Sequence, residues 1–330
     1  MHLTSKPIRR KGSLQLPVCL AAFLLVLFWP GGDLKQADAQ TVSNATRETN
    51  LVRLIHTNIL PWHLSTNATA RTRGFAGTYH DMLALSGWSY GIYSGTNLAL
   101  LTNATWSKTF WLAGVQGLSA TGIGGSNAMG GQGLVTMVSP RHYLFATHMQ
   151  PEGFLIDFLD TNNVIHWRTT LGRADVGDDI SVGIINADLP PSVGFLPVLP
   201  PDFWHYLPTN GPAFVEGIAV NQDWRVFSQP MTFMFRGFVA WDSRAAAPFG
   251  PGTNWNVKIR GGDSSNPDML LISNQLVLVA HTSSVQGGAN YAFHFDEINR
   301  QMHNLSKKYH TGTDYQLTPF SLTNWAVINH

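Results

Sequence analysis

The chain has 330 residues, of which 44% are hydrophobic and only 12% charged. That balance excludes a disordered chain, which needs low hydrophobicity and high charge, and a coiled coil, which needs far more Glu, Lys and Arg. The net charge is +1, and beyond residue 39 the count is 16 Lys/Arg against 18 Asp/Glu, net −2. No basic face is expected to neutralise phosphates, so nucleic acid is not an expected partner.

Residues 1–39 read as a signal peptide. Lys6 to Lys11 form a basic start, Leu16 to Trp29 an apolar core, and Ala37-Asp38-Ala39 a small-residue cleavage site. The apolar run is too short for a comfortable membrane span, so no stable span is expected after cleavage. The expected location is secreted, periplasmic or extracellular. Cys19 is the only cysteine. The mature chain therefore has neither disulfides nor a thiol nucleophile.

Residues 40–105 read as an N-terminal extension or propeptide-like segment, polar up to residue 75 and without a clean period after it. From Trp106 short apolar runs alternate with Gly, Pro, Asn and Asp, the texture of short strands and tight turns. Strands are predicted at 133–138, 142–146, 154–159, 164–170 and 180–185. Residues 188–202 carry five prolines and read as an extended linker over a surface. Further strands are predicted at 213–220, 224–227, 231–239, 256–259, 269–272 and 276–280. Ile298, Met302 and Leu305 recur at helical spacing, which predicts a helix over 296–308. Asp296 and Glu297 at its start and Lys307 and Lys308 at its end suit the helix dipole. A last strand is predicted within 315–322. The fold class is all-β: two β-rich halves, first barrel about 106–187 and second about 203–292, around a proline-rich hinge.

Three short patterns carry chemistry. Ala146-Thr147-His148 ends an apolar strand, Asp179-Ile180-Ser181-Val182 starts a β-branched one, and Gly262-Asp263-Ser264-Ser265-Asn266-Pro267 forms a glycine turn. Each alone also fits a turn or surface residue; their joint order His, Asp, Ser is what matters. A serine hydroxyl is a weak nucleophile at neutral pH and needs an adjacent base, and that base needs an acid to orient it.

These patterns resemble the chymotrypsin/trypsin-like serine peptidases, with their A-A-H, D-I-A-L and G-D-S-G-G-P motifs. Gly133–His148 looks like the family's approach to its histidine, and Gly211–Gly217 like the first strand of its second barrel. The likeness covers roughly residues 106–292. It implies two six-stranded antiparallel β-barrels of the chymotrypsin type with a C-terminal-side helix, the whole peptidase domain running over 106–330. It implies His148 as general base, Asp179 as its orienting acid and Ser264 as nucleophile. The backbone N–H groups of Gly262 and Ser264 would form the oxyanion hole. Asp263 matches the acid beside the nucleophile, with Arg260 a basic candidate near it. The chain departs from the family at Thr147, Ser265 and Asn266, and by having no disulfides. A side chain at 265 crowds the turn if that position needs a positive φ.

By position, Lys258 falls where the family floors its substrate pocket and His281 near a wall of it. A lysine there argues against cleavage after Lys or Arg, and the two together point to acidic substrates. A solvated Lys258 and a packed His281 are the alternatives. No cofactor or catalytic metal is expected, since the 13 histidines show no tight ligand spacing and no H-E-x-x-H helix occurs. No D-x-x-H follows Ser264. The expected function is a secreted serine endopeptidase-like hydrolase acting on a protein or peptide. The alternative is a catalytically weak or inactive scaffold acting as a secreted binding protein.

Overall fold

The computed structural model describes residues 79–81, 88–89, 99–100, 104–106, 108, 112–126, 132–149, 155–207, 213–220, 225–234, 238–241, 262–284 and 287–323. All of them belong to the unit Arg47–His330. The signal peptide at 1–39, the strand expected at 256–259, Lys258 and Arg260 lie outside the described residues.

The strands in chain order are β1 (Tyr79–Asp81), β2 (Trp88–Ser89), β3 (Ala99–Leu100), β4 (Thr121–Ser126), β5 (Gln132–Met137), β6 (His142–Ala146), β7 (Leu155–Leu159), β8 (Ile165–Gly177) and β9 (Ile180–Ile185). Then follow β10 (Ala213–Val220), β11 (Arg225–Met234), β12 (Phe238–Trp241), β13 (Pro267–Ile272), β14 (Gln275–His281), β15 (Gly287–Ala289) and one helix, α1 (Phe295–Lys308). β4 to β9 close into a six-stranded antiparallel barrel in the order β4-β5-β6-β9-β8-β7. Closure leaves no strand edge exposed within this barrel.

The barrel interior follows from its sequence. β6 and β9 are buried along their whole length, and such strands read as continuous apolar runs rather than alternating ones. Leu134, Leu144, Phe158, Val182 and Ile184 meet in one core. β4 is glycine-rich because a Cβ at Gly122 would run into the Phe158 ring. β8 carries two bulges, between Thr170 and Gly172 and between Asp175 and Gly177, which add the bend and twist that closing a small barrel requires.

The second half is a seven-stranded sheet in the order β14-β13-β10-β11-β12-β15, with β1 also paired to β11. Tyr79 lies opposite Phe227 and Asp81 opposite Arg225. The region read as an N-terminal extension thus contributes a strand to this sheet. β14 and β15 end the order, and beside them Ser283 N and Ser284 N donate to Gly287 O at 3.1 and 3.0 Å. No continuous ladder closes them into a second barrel among the described residues. The runs expected as 224–227 and 231–239 are instead one long strand, β11, followed by β12.

The helix forms one residue earlier than the apolar spacing predicts. It buries Ile298, Met302 and Leu305 against β8 and β9, inside the barrel's own core cluster. Where α1 meets the barrel, His142 is fully buried between Ser139 Oγ on Nδ1 at 3.0 Å and Ser306 Oγ on Nε2 at 3.2 Å. Burial, reinforced by the Arg141 charge and opposed by backbone and acidic neighbours, lowers its pKa to about 4.

The proline-rich connector corrects the expectation of a surface linker. Residues 196–200 are buried. Leu196 N donates to Met137 O, Leu199 N to Leu278 O, and Val198 N to Thr318 O. Leu278 N and Phe320 N donate back to Pro197 O and Val198 O. A proline has no N–H to leave unpaired. An extended Pro-rich segment with apolar Leu196, Val198 and Leu199 can therefore be buried at little cost in unsatisfied donors. The strand expected within 315–322 reduces to a single bridge between Val198 and Pro319.

Among the described residues no helix is long and apolar enough to cross a membrane.

Candidate active site

The site starts from strand pairing. β6 and β9 run antiparallel with Ala146 opposite Ile180. This register places the residue two beyond the end of β6 beside the residue just before β9. Those residues are His148 and Asp179. His148 stands in a single 3-10 turn, Thr147–Met149. Asp179 closes a tight turn in which Gly177, Asp178 and Asp179 have φ of 123, 48 and 65. Non-glycine residues at positive φ are strained and persist where surrounding contacts fix them. Here Thr147 N donates to Asp179 O at 2.9 Å and His148 N to Asp179 Oδ1 at 3.1 Å.

The imidazole is gripped on one edge. His148 Nδ1 lies 2.9 Å from Asp179 Oδ1 and 2.8 Å from Oδ2. An ionised carboxylate only accepts, so Nδ1 carries the proton and the neutral ring keeps its lone pair on Nε2. The hydrogen bond that His148 donates to Asp179 raises its pKa above 6.5; burial works against this, and the Asp179 charge adds to it. Both side chains remain partly open, 35% and 28% exposed.

A second layer holds this pair. Ser181 Oγ donates to Asp175 Oδ1 at 2.7 Å. Its one hydrogen is thereby used, so the Thr147 hydroxyl is the donor in the 2.8 Å contact with Ser181 Oγ. Arg173 Nη1 donates to Thr147 O at 3.0 Å. His294 Nε2 lies 3.3 Å from Asp178 Oδ2, bringing the segment that enters α1 onto the same turn.

The third pattern reaches this site from the other sheet. Gly262 has φ 101 and Ser265 φ 73, so the turn does require positive φ at 265 and takes it with a side chain present. Ser265 N donates to Thr282 O and Thr282 N to Asn266 O, both at 2.9 Å, and Asn266 N closes the turn on Asp263 O at 3.1 Å. Asp263 is buried and accepts from Asn266 Nδ2 at 3.4 Å. Ser265 Oγ is buried and accepts from Ala146 N at 2.7 Å. Without that acceptor the Ala146 N–H would be buried and unpaired, a cost of roughly 1–3 kcal/mol.

Ser264, half-buried, follows Asp263 in this turn. Its neighbour Ser265 touches Ala146, two residues before His148. Among the described residues no hydrogen bond joins Ser264 to His148, and the N–H groups of Gly262 and Ser264 have no protein acceptor. The structure therefore brings His148 and Asp179 into direct contact and sets the Ser264 turn against the same strand end.

His281 ends β14 and is 1% exposed. Its Nδ1 contacts the Tyr291 hydroxyl. Burial pushes the Tyr291 pKa well above 10, with the Asp268 and Asp179 charges adding to the effect. Tyr291 therefore keeps its proton and donates to Nδ1, leaving the His281 hydrogen on Nε2. Burial lowers the His281 pKa to about 4; Asp179 opposes this through its charge and backbone, and His148 adds to it. His281 is thus a neutral, enclosed ring behind the His148–Asp179 pair. Asp268, on β13, accepts from Thr282 Oγ1 at 3.1 Å.

Among the described residues no group of His, Cys, Asp and Glu is arranged to hold a metal ion. Sequence reasoning did not single out Ser181, Asp175 or Tyr291 as parts of the site. Ser181 was legible only as one letter of the D-I-S-V pattern, and Tyr291 carried no local signal.

Comparison with known proteins gives no family assignment: no family model matches the chain, and no curated protein does.

Proposed function

We propose that this chain is a serine endopeptidase-like hydrolase. The observation that carries the reading is the two-oxygen grip of Asp179 on His148 Nδ1, at 2.8 and 2.9 Å, with the Ser264 turn seated on the same strand end. In this reading the Ser264 Oγ–H proton passes to His148 Nε2 as Oγ bonds to the substrate carbonyl carbon. The carbonyl π pair moves onto oxygen, which takes hydrogen bonds from Gly262 N–H and Ser264 N–H. The C–N bond then breaks as His148 returns the proton to the departing amine. Water repeats the sequence on the acyl-enzyme, with His148 again the base. Asp179 holds the ring tautomer and stabilises the imidazolium throughout.

The finer fold implied by this reading is the two-barrel arrangement, with the open sheet β14 to β15 as the second barrel. Export and a protein or peptide substrate belong to the same proposal. Lys258 and His281 remain the proposed substrate-side residues, although the enclosure of His281 behind Tyr291 favours a supporting place over direct contact. A second reading, a secreted binding protein on the same scaffold, is favoured by the missing Ser264–His148 hydrogen bond and by Ser265 and Asn266 after the nucleophile.

Labelling of the folded chain by a fluorophosphonate, read by intact mass, separates the two. The hydrolase gives one adduct, absent in Ser264→Ala and lost in His148→Ala. A folded chain that takes no adduct is the binding protein.

A further inference from the structure

The most informative feature outside the three expected catalytic residues is the hydroxyl of Ser265. It stands where the resembling family has glycine, at a backbone φ of 73 that L residues seldom adopt. The side chain is 1% exposed, and its oxygen accepts from Ala146 N at 2.7 Å across 119 residues of chain. Ala146 is the last residue of β6, and the next N–H, that of Thr147, is held by Asp179 O. Consecutive backbone donors thus divide between the two halves of the site. The N–H of 146 goes to the nucleophile turn and the N–H of 147 to the acid. On the other side, Ser265 N is fixed to Thr282 O. Ser265 is therefore bonded both to the sheet that carries the turn and to the barrel strand that leads into the histidine.

We infer that Ser265 is a positioning residue whose hydroxyl, through Ala146, sets the separation between Ser264 and His148. The inference rests on the proposed hydrolase reading for its catalytic meaning, but its structural content does not. Glycine at this position would relieve the backbone yet leave the Ala146 N–H without its acceptor. The two halves would then be joined here only through packing. Near-attack geometry is sensitive to displacements of about 1 Å, which alone can cost about a hundredfold in rate.

The test compares Ser265→Gly, which removes both the hydroxyl and the φ strain, with Ser265→Ala, which removes the hydroxyl and keeps the strain. Two quantities are read on the full chain: the second-order rate of fluorophosphonate labelling, and the hydrogen exchange of the Ala146 amide together with the ring-nitrogen NMR titration of His148. The expected result is labelling slowed by about tenfold or more in both variants, with Ala146 exchange accelerated and the His148 titration displaced. A protein in which the hydroxyl is only a packing group gives a changed melting temperature but unaltered labelling and His148 titration in Ser265→Gly; that outcome overturns the inference. If the unaltered chain takes no label, the hydrolase reading falls and the NMR readout alone decides. A His148 titration displaced in Ser265→Gly then supports the positioning role, and one that coincides with the parent overturns it.

Discussion

The two halves of the candidate site are held in different ways. On the barrel side, His148 and Asp179 follow and precede two strands paired along their length, and four hydrogen bonds join the two residues and their immediate backbone. On the sheet side, the Ser264 turn hangs on Thr282, on its own Asp263 bond and on the single link from Ser265 to Ala146. On the proposed hydrolase reading, the base and its acid are preorganised by a ladder, whereas the nucleophile is aimed by a strained turn. A site built this way keeps its basic nitrogen ready in the free protein. Its reactivity is tuned mainly at the turn, where small changes of backbone angle move a hydroxyl relative to a fixed ring.

The largest expected effect breaks the comparison outright. Ser264→Ala abolishes fluorophosphonate labelling while leaving the His148–Asp179 contact, since the ladder does not depend on it; intact mass and the His148 ring resonances check both halves. Next is Asp179→Asn, expected to slow labelling by roughly three to four orders of magnitude through the wrong tautomer. This variant also has a pH signature. With Asp179 present the His148 pKa lies above 6.5, and the base works only when neutral. Labelling therefore rises with pH to a plateau through a midpoint above 6.5. Without Asp179 the remaining influence is burial, which lowers the pKa, so the residual rate has its midpoint below that of the parent chain.

Gly262→Ala probes the turn alone. Its φ of 101 is one that alanine adopts only under strain, so the N–H assigned to the oxyanion is misdirected. Labelling is expected to fall by about a hundredfold, with the His148 titration unchanged. A displaced titration would show that the turn and the ladder are not separable.

The smallest effect concerns acid stability, and the halves share it. His142 opens barrel strand β6 and His281 ends sheet strand β14, each with a pKa near 4. Both stay neutral when folded but take a proton near 6.5 when unfolded. Between those limits the unfolded chain binds more protons, so stability is full above about pH 6.5 and declines as pH falls toward 4. Each ring accounts for on the order of 3 kcal/mol at the acid end of that window. Melting temperature measured from pH 7 to 4 should fall, and the fall should be shallower in His142→Gln and in His281→Gln.

Much of the barrel was legible because its strands are either buried apolar runs or apolar runs bounded by turn residues. β6, β9 and β10 coincide with their predicted limits, and α1 differs by one residue. β4 and β15 were not legible. Their sequences, TGIGGS and GGA, lack the side chains that signal a strand; at Gly122 the Phe158 ring shows what the missing Cβ makes room for. β1 was hidden because three residues paired to a distant strand leave no periodic trace. The His148–Asp179 contact was readable only through the joint order of the three patterns and the family they resemble; the strand pairing that makes it, β6 on β9, has no local signal. Ser265 was noted only as a departure. Its role depends on a backbone N–H of the other half of the molecule, which no local pattern encodes.

The burial of the connector has a consequence for how the molecule is made. Val198 is sealed by Thr318 and Phe320, which lie beyond α1 and near the end of the described chain. During synthesis the barrel strands leave the ribosome with most of their partners already in hand. Val198 must wait for these partners until the segment after the helix has emerged. The segment Thr318 to Phe320 therefore acts as a clasp. A product that stops short of residue 317 should retain the barrel's local pairings yet expose a Pro-rich apolar strip, the kind of surface that chaperones and proteases read as unfinished.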